Sequence, residues 1–295
     1  MVSRLCEGPM DSMGLTPQGL VAGIRDLVTL PEVALRIARM VDDPTSSAPD
    51  IGREISKDAA LTSRLLRIAN SAAYGQHGKV ATISRAIAVL GVRQVRDLTV
   101  GLTAIRTFEG IGNELVTMES FWRHSLLCGI AAGYLAARRG GSRDDSPFVA
   151  GLLHDIGQLV IYSRAPGPAK KALLMCVDAA DDLGMYLCER ASIGFDHGAV
   201  GAALARNWGL PKSLQECIEF HHEPERATEH PLAVALIHIA NSVAVLAEID
   251  SDDLSDAPPI SALALRAVKL DPAEVLDVVA QTQKSAVEML PLLAA

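Results

Sequence analysis

Apolar residues recur every three or four positions through most of this chain, and no segment alternates between apolar and polar residues with period two. The first spacing places side chains along one face of an α-helix, whereas the second would indicate a half-buried strand. One such stripe is formed by Ile83, Ile87 and Leu90, with Ser84 near the predicted helix start and Gly91 directly after its end. Because only 4% of the residues are aromatic, aliphatic side chains must build the core. The pattern predicts an all-α protein.

Several helix starts can be placed from the sequence. Pro31, Pro211 and Pro272 each stand just before an apolar periodic segment, which is typical of a first-turn proline, whose missing N–H costs nothing there. Asp271 followed by Glu274 is the pattern of a capping box. These signals predict helices that begin near residues 31, 211 and 272.

The histidines divide the chain unevenly. Between residues 15 and 112 the only histidine is His77, whereas the other seven lie between residues 124 and 238. This asymmetry predicts a helical front lobe followed by a lobe that has, or once had, a chemical site. We therefore divide the chain into an N-terminal tail (1–14), a front lobe (15–112), a histidine-rich lobe (113–250) and a C-terminal linker with an amphipathic helix (251–295).

The amphipathic helix at the C-terminal end, called the C-terminal tail below, has an apolar face that another surface must bury. Val275, Leu276, Val279 and Val287 fall at helical spacing within residues 272–292. Two alternatives remain open: the tail packs on its own second lobe, or it is shared with a protein partner or with a second copy in a homodimer.

Charge argues against nucleic acid as a partner. The net charge is -8 and the pI is about 5.5, whereas binding to phosphate backbones depends on clustered cations. Arg85, Arg93 and Arg96 lie in a segment with the outline of a helix-turn-helix, but a solvated helical face is the better interpretation in an acidic chain without a basic arm. We expect no nucleic-acid partner.

The cysteines and the apolar segments indicate a cytoplasmic protein. The five cysteines are scattered and contain no C-x-x-C pair, which is typical of reduced thiols. The N-terminus has no apolar run long enough for a signal peptide, and the most apolar window carries His238 and Asn241 near its middle. We expect a cytoplasmic chain with no membrane span.

The histidine-rich lobe presents an ordered series of candidate metal ligands. Imidazole nitrogens and carboxylate oxygens are the ligands that zinc, iron, manganese and nickel accept in proteins, and several helices of a bundle can each contribute one or two. A lone histidine on an apolar helix, such as His238, is better interpreted as a hydrogen-bonded core residue. The candidate ligands are His124, His154, Asp155, His197, His221, His222 and Asn241.

The order of these residues resembles the HD superfamily of metal-dependent phosphohydrolases, and most closely its HD-GYP branch and the HDOD domains, a related bacterial signalling group. The segments "LPEVALRIARMVDDP", "ISKDAALTSRLLRIANSAAYG" and "ISRAIAVLGVRQVRDL" are similar to the HDOD front lobe. "FWRHS", "AGLLHDIG", "GFDHGAVGAALARNWGLP" and "EFHHEP" are similar to its second lobe. The resemblance covers residues 30 to 246 and implies a two-lobe helical bundle whose second lobe is HD-like.

Two positions depart from the active HD-GYP pattern. That branch has a phosphate-binding lysine where this chain has Gln158, and a final aspartate ligand where it has Asn241. A neutral amide oxygen coordinates a cation more weakly than a carboxylate and does not offset its charge. The Gly-Tyr-Pro segment expected after the His-His pair is also missing. The resemblance therefore implies a vestigial or weak site that requires no cofactor and holds at most a single divalent ion (iron, manganese, zinc or nickel).

The expected function is that of a non-catalytic bacterial signal-transduction output or adaptor module, which acts through contacts with protein partners. The alternative is a metal-dependent HD-type phosphohydrolase acting on a cyclic dinucleotide or nucleotide. Gln158 and Asn241 are the residues that separate these two hypotheses.

Overall fold

The computed structural model describes residues 15–22, 31–71, 80–108, 115–139, 146–178 and 184–290. Across these ranges every regular element is helical and none is a strand, which confirms the all-α prediction. The predicted tail 1–14 and His77 lie outside the described residues, and the lobe boundaries at 14, 112 and 250 stay predictions.

Within the described ranges, two of the connections between helices contain a 3₁₀ turn (Pro224–Arg226 and Leu254–Asp256). The α-helices are α1 (Pro17–Ala22), α2 (Glu32–Asp42), α3 (Ala48–Ile55), α4 (Ala59–Ala69), α5 (Ile83–Leu90), α6 (Val92–Phe108), α7 (Met118–Arg138), α8 (Pro147–Leu153), α9 (Ile156–Arg164), α10 (Pro166–Asp178), α11 (Met185–Ile193), α12 (His197–Asn207), α13 (Lys212–Phe220), α14 (Pro231–Ile249), α15 (Ala262–Val268) and α16 (Pro272–Met289).

The front helices gather around α6, against which α2, α4 and α5 pack. The predicted stripe of α5 is buried, and Gly91 ends the helix with a φ of 89°, a left-handed conformation that favours glycine. The helix begins at Ile83, so Ser84 lies near its start, as predicted. Thr82, not Ser84, caps it, and the Thr82 hydroxyl accepts the N–H of Arg85 at 3.2 Å.

Pro272 occupies the first position of α16, and Asp271 and Glu274 form the predicted capping box. Pro31 and Pro211 instead stand one residue before α2 and α13, so the prediction of first-turn prolines is wrong for these two. Both have extended backbones, and their carbonyls accept the first helical N–H groups. The rigid proline ring therefore sets the entry of the chain into each helix.

The histidine-rich lobe is built on two long helices, α7 and α14, which pack against each other and against α8 and α16. By length and composition α14 is the one helix among the described residues that could cross a membrane, with a mean hydropathy of 2.0. However, 72% of that window is buried inside the protein, so its apolar character is accounted for by core packing.

Two glycines allow the helices of this lobe to cross at close range. A Cβ on Gly151 of α8 would lie 2.7 Å from backbone atoms of α7, at Cys128 and Gly129. A Cβ on Gly157 of α9 would lie 2.0 Å from the carbonyl oxygen of His197 in α12. Both glycines flank His154 and Asp155 in the sequence, so these crossings set how closely the candidate ligands of neighbouring helices can approach.

The C-terminal helix belongs to the same body. Its face containing Val275, Val278 and Val279 is buried, and α16 packs on α7 and α14. The tail therefore covers its own second lobe, which was one of the two alternatives. Val287 is 76% exposed, so its assignment to the covered face is wrong.

Helix α1 joins this lobe as well, although it precedes the front helices in sequence. It packs against α9 and α12 and buries Leu20 and Val21.

Candidate metal centre

His154 and Asp155 lie in the turn between α8 and α9. Neither residue lies within a helix, because α8 ends at Leu153 and α9 begins at Ile156. Asp155 stands at the N-cap position of α9, yet its side chain makes no cap hydrogen bond. Its carboxylate instead faces the histidines of neighbouring helices.

All seven predicted ligand residues meet at this turn. His124 comes from α7, His197 is the first residue of α12, His221 and His222 directly follow α13, and Asn241 comes from α14. The candidate ligand atoms of the histidines and Asp155 form two groups, each within 4.8 Å, that share Asp155. The first group is Asp155, His197, His221 and His222, and the second is His124, His154 and Asp155.

Asp155 is the centre of this arrangement. Its Oδ1 lies 3.1 Å from Nε2 of His197 and 3.5 Å from Nε2 of His221. Its Oδ2 lies 3.4 Å from Nε2 of His154 and 3.9 Å from Nε2 of His124. One carboxylate therefore contacts histidines of both groups.

Hydrogen bonds from Nδ1 to backbone carbonyl groups fix the orientation of two of the histidine rings. Nδ1 of His154 donates to the carbonyl of Gly151 at 2.7 Å, and Nδ1 of His221 donates to the carbonyl of Ile218 at 2.9 Å. Because a carbonyl oxygen only accepts, each Nδ1 carries the proton, and in the neutral ring Nε2 presents a lone pair to the cluster. This is the tautomer and orientation of a metal-ligating histidine.

The Nε2 atoms are crowded in a way that suits a cation. Nε2 of His197 lies 3.3 Å from Nε2 of His221 and 2.9 Å from Nε2 of His222. Nε2 of His154 is buried and has no hydrogen-bond partner among the described residues. Lone pairs directed at one another repel unless a proton or a metal ion lies between them, so the residues present fit a divalent ion bound by imidazole and carboxylate.

The pKa values of the clustered residues reflect their burial and their closeness to one another. Burial opposes ionisation of Asp155, but the neighbouring His154 and His197 outweigh it and lower the pKa of Asp155 well below its usual range. Burial lowers the pKa of His154 to about 3, so this ring is neutral at physiological pH. Burial, together with the adjacent His221 and His197, also lowers the pKa of His222 well below its usual range. Neutral imidazoles are the form that binds metal.

His124 and Asn241 complete the second group. Nε2 of His124 lies 2.9 Å from the amide oxygen of Asn241, and its Nδ1 lies 3.1 Å from a carboxylate oxygen of Glu248. This side of the cluster thus has a neutral amide where the resemblance implies a carboxylate.

Sequence reasoning missed a set of residues on α11. Glu189 accepts hydrogen bonds from Nδ1 of His197 at 2.6 Å and from the His197 backbone N–H at 2.8 Å. The ring of Tyr186 stacks on His222 with centroids 4.5 Å apart, and the guanidinium of Arg190 lies 5.0 Å from the centre of the Tyr186 ring. The sequence contains no metal-binding motif that connects α11 with the histidines. The only available signal was the i, i+3, i+4 spacing of these three residues, which places them on one face of a helix.

His238, which is not one of the candidate ligands, uses its ring in structural hydrogen bonds. Nδ1 of His238 donates to the carbonyl of His221 at 2.7 Å, and its Nε2 accepts the N–H of Ser261 at 2.9 Å. Both ring nitrogens are thus used in structural hydrogen bonds, which confirms that His238 is a core residue.

A cleft of about 520 Å³ opens beside the cluster, with His222 and Asn241 in its wall. Tyr186, Pro258 and Pro259 supply apolar wall, and Asp256 adds an acid. None of the described lining residues is a lysine or an arginine. Gln158 carries no charge, and its amide oxygen accepts the hydroxyl of Tyr162 at 3.0 Å.

A helical fold in which a His-Asp pair and four further histidines meet around one carboxylate defines an HD-type domain. A family model described as the HDOD domain matches residues 27–224, which is more than half of the chain. The chain belongs to the HDOD domain family, as the sequence motifs indicated.

Solved structures share the fold. A "putative phosphohydrolase" from Shewanella amazonensis SB2B is 25% identical, with a TM-score of 0.71 over 93% of this chain and 97% of that one. An HDOD domain protein of unknown function from Geobacter sulfurreducens is 24% identical, with a TM-score of 0.66 over 94% and 97% of the two chains. A "putative signal transduction protein" from Marinobacter aquaeolei VT8 is 22% identical, with a TM-score of 0.68 over 93% and 61%.

A curated protein also matches this chain by sequence. It is an uncharacterized protein of Treponema pallidum (strain Nichols), 28% identical over 268 residues. The match covers 90% of this chain and 50% of that protein, so this chain spans about half the length of its curated relative.

Proposed function

We propose that this chain is a non-catalytic signal-transduction module of the bacterial cytoplasm that acts through contacts with protein partners. In this proposal the HD-type site holds a divalent ion as part of the structure and does not use it for hydrolysis. Membership of the HDOD domain family supports a signalling role. So does the fold shared with the "putative signal transduction protein" of Marinobacter aquaeolei.

The observation that carries the proposal is the chemistry of two amides. Phosphoryl transfer needs positively charged groups beside the phosphate oxygens, and it needs a metal pair that activates water. Gln158 brings no charge and is hydrogen-bonded to Tyr162. Asn241 gives the His124 side of the cluster a neutral oxygen. The described walls of the adjoining cleft add no lysine or arginine and include Asp256.

The second candidate function, a metal-dependent phosphohydrolase, is favoured by a different observation. Two groups of ligands share the carboxylate of Asp155, which is an arrangement suited to a pair of ions, and a cleft opens beside them. A relative that is 25% identical is described as a "putative phosphohydrolase". A cyclic dinucleotide or nucleotide would then be the substrate.

Hydrolysis assays separate the two functions. Protein supplied with Fe²⁺ or Mn²⁺ is incubated with cyclic dinucleotides and with bis(p-nitrophenyl) phosphate as a generic diester, beside Asp155→Ala as the background. We expect the wild type to be no faster than this variant. Metal-dependent turnover that His154→Ala and Asp155→Ala both abolish would establish the phosphohydrolase instead.

A further inference from the structure

We propose that the ion is held in the group formed by Asp155, His197, His221 and His222, and that Glu189 is the residue that positions His197 for it. This inference rests on the metal-binding part of the proposed function. It assigns a role to a buried carboxylate that belongs to neither ligand group.

Glu189 makes two hydrogen bonds to the same residue. Its Oε2 accepts both Nδ1–H and the backbone N–H of His197, so it fixes the ring and also the first residue of α12. A carboxylate behind a ligand histidine fixes the tautomer and makes Nε2 a stronger electron donor to a metal. The contact thus orders His197 in the form that an ion requires.

The burial of Glu189 indicates that its negative charge requires a positive charge nearby. Its side chain is 0% exposed, and Oε1 has no hydrogen-bond partner among the described residues. A buried carboxylate is costly unless opposite charge lies nearby. Glu189 and Asp155 both contact His197, from its two ring nitrogens. A divalent ion at Nε2 of His197 would balance these two carboxylates.

The other ligand group lacks these features. His124 also has a carboxylate behind it, Glu248 at 3.1 Å, but the Glu248 side chain is 27% exposed and is therefore screened by water. His154 is held by a neutral carbonyl, and Asn241 adds no charge. This group offers two imidazoles where the first offers three.

Helix α11 orders the first group at further points. Tyr186, three residues before Glu189, stacks on His222 with the ring planes 9° apart. Arg190, the next residue, forms a salt bridge at 2.6 Å with Asp196, whose side chain caps α12 directly before His197. One face of a single helix therefore positions two of the three histidines.

Cobalt binding tests the assignment, because Glu189 and Glu248 form a matched pair behind His197 and His124. Co²⁺ is titrated into full-length Glu189→Gln and Glu248→Gln, with affinity measured by calorimetry and ligand geometry followed by the visible absorption of the ion. We expect Glu189→Gln to weaken binding about 10–100-fold and to shift the absorption bands. We expect Glu248→Gln to stay within about threefold of wild type.

An equal or larger loss in Glu248→Gln, or unchanged binding in Glu189→Gln, would overturn the assignment. Circular dichroism and thermal unfolding in chelator check that each variant folds. If Glu189→Gln does not fold, His222→Asn and His124→Asn decide which group holds the ion. The greater loss should then occur in His222→Asn, and the reverse order overturns the proposal.

The outcome is separate from that of the hydrolysis assay. Turnover by the wild type would refute the non-catalytic proposal and leave the cobalt result standing. A wild type that binds no Co²⁺ would refute the metal-binding part of the proposed function together with this inference.

Discussion

At the scale of single residues, the His-Asp pair gathers the rest of the site. The sequence predicted the ligand series because order and residue type are enough to suggest a metal site. It did not predict the turn between α8 and α9, because the run from Leu152 to Ile161 has no proline and its one glycine, Gly157, lies inside α9 and not at the break. The break places Asp155 between two helix ends, where its carboxylate reaches histidines from α7, α12 and the end of α13.

Loss of this carboxylate should destabilise the fold even without metal. In chelator-treated protein, Asp155→Ala is expected to lower the free energy of unfolding by about 1–3 kcal/mol, because it removes the partner of buried histidines. Thermal and urea unfolding measure the effect, with the exposed Asp252→Ala as control. An unchanged midpoint for Asp155→Ala would show that the carboxylate does not contribute to the stability of the folded protein.

Restoring charge at Asn241 should change the number of ions bound. Asn241→Asp places a carboxylate beside His124 and adds charge to the weaker ligand group. Equilibrium dialysis with Co²⁺ should then give two ions per chain where the wild type gives one. The control is Asn207→Asp, an exposed amide at the end of α12. A stoichiometry that does not change in Asn241→Asp would contradict the view that the amide limits this group.

At the scale of elements, helices were predictable and their crossings were not. Periodicity identified the stripe of α5, and the spacing of Asp271 and Glu274 identified the capping box of α16, because both are local signals. Close approach between helices depends on which glycine faces which backbone, and the sequence alone does not give that pairing. Val287 illustrates the same limit, since it fits the apolar spacing of α16 yet lies on the exposed side.

The crossing of α9 and α12 at Gly157 should be intolerant of a side chain. Gly157→Ala would bring a methyl group against the backbone of His197 and force the two helices apart. We expect a loss of about 1–3 kcal/mol in the free energy of unfolding, together with weaker Co²⁺ binding, because His197 moves relative to Asp155. Gly167→Ala is the matched control, since a Cβ there meets nothing within 4 Å. Normal stability and binding in Gly157→Ala would show that the crossing does not set the site.

At the scale of the whole molecule, the C-terminal helices complete the histidine-rich lobe. The hydroxyl of Tyr134 on α7 lies 2.6 Å from that of Ser285 on α16, and Arg139 donates to the carbonyl of Ala267 at 3.0 Å. Amphipathicity predicted that the tail needs a cover, but it could not say which surface provides it. The covered face makes the tail an integral part of the domain.

Removal of residues 260–295 should therefore expose the faces of α7 and α14 that α16 covers. We expect the truncated chain to lose its cooperative thermal transition and to aggregate, since a large apolar surface becomes accessible. Light scattering and calorimetry measure both effects. A truncated chain that stays monomeric and unfolds at the wild-type midpoint would contradict the structural role of the tail.

In the proposed function, the HD-type site holds an ion and does not hydrolyse phosphodiesters. The most direct test measures both properties in one sample: the Mn²⁺ or Co²⁺ content of the protein and its turnover of cyclic dinucleotides. We expect about one ion per chain, with turnover no higher than that of Asp155→Ala. Turnover that rises in proportion to the bound ion, and disappears in Asp155→Ala, would contradict it.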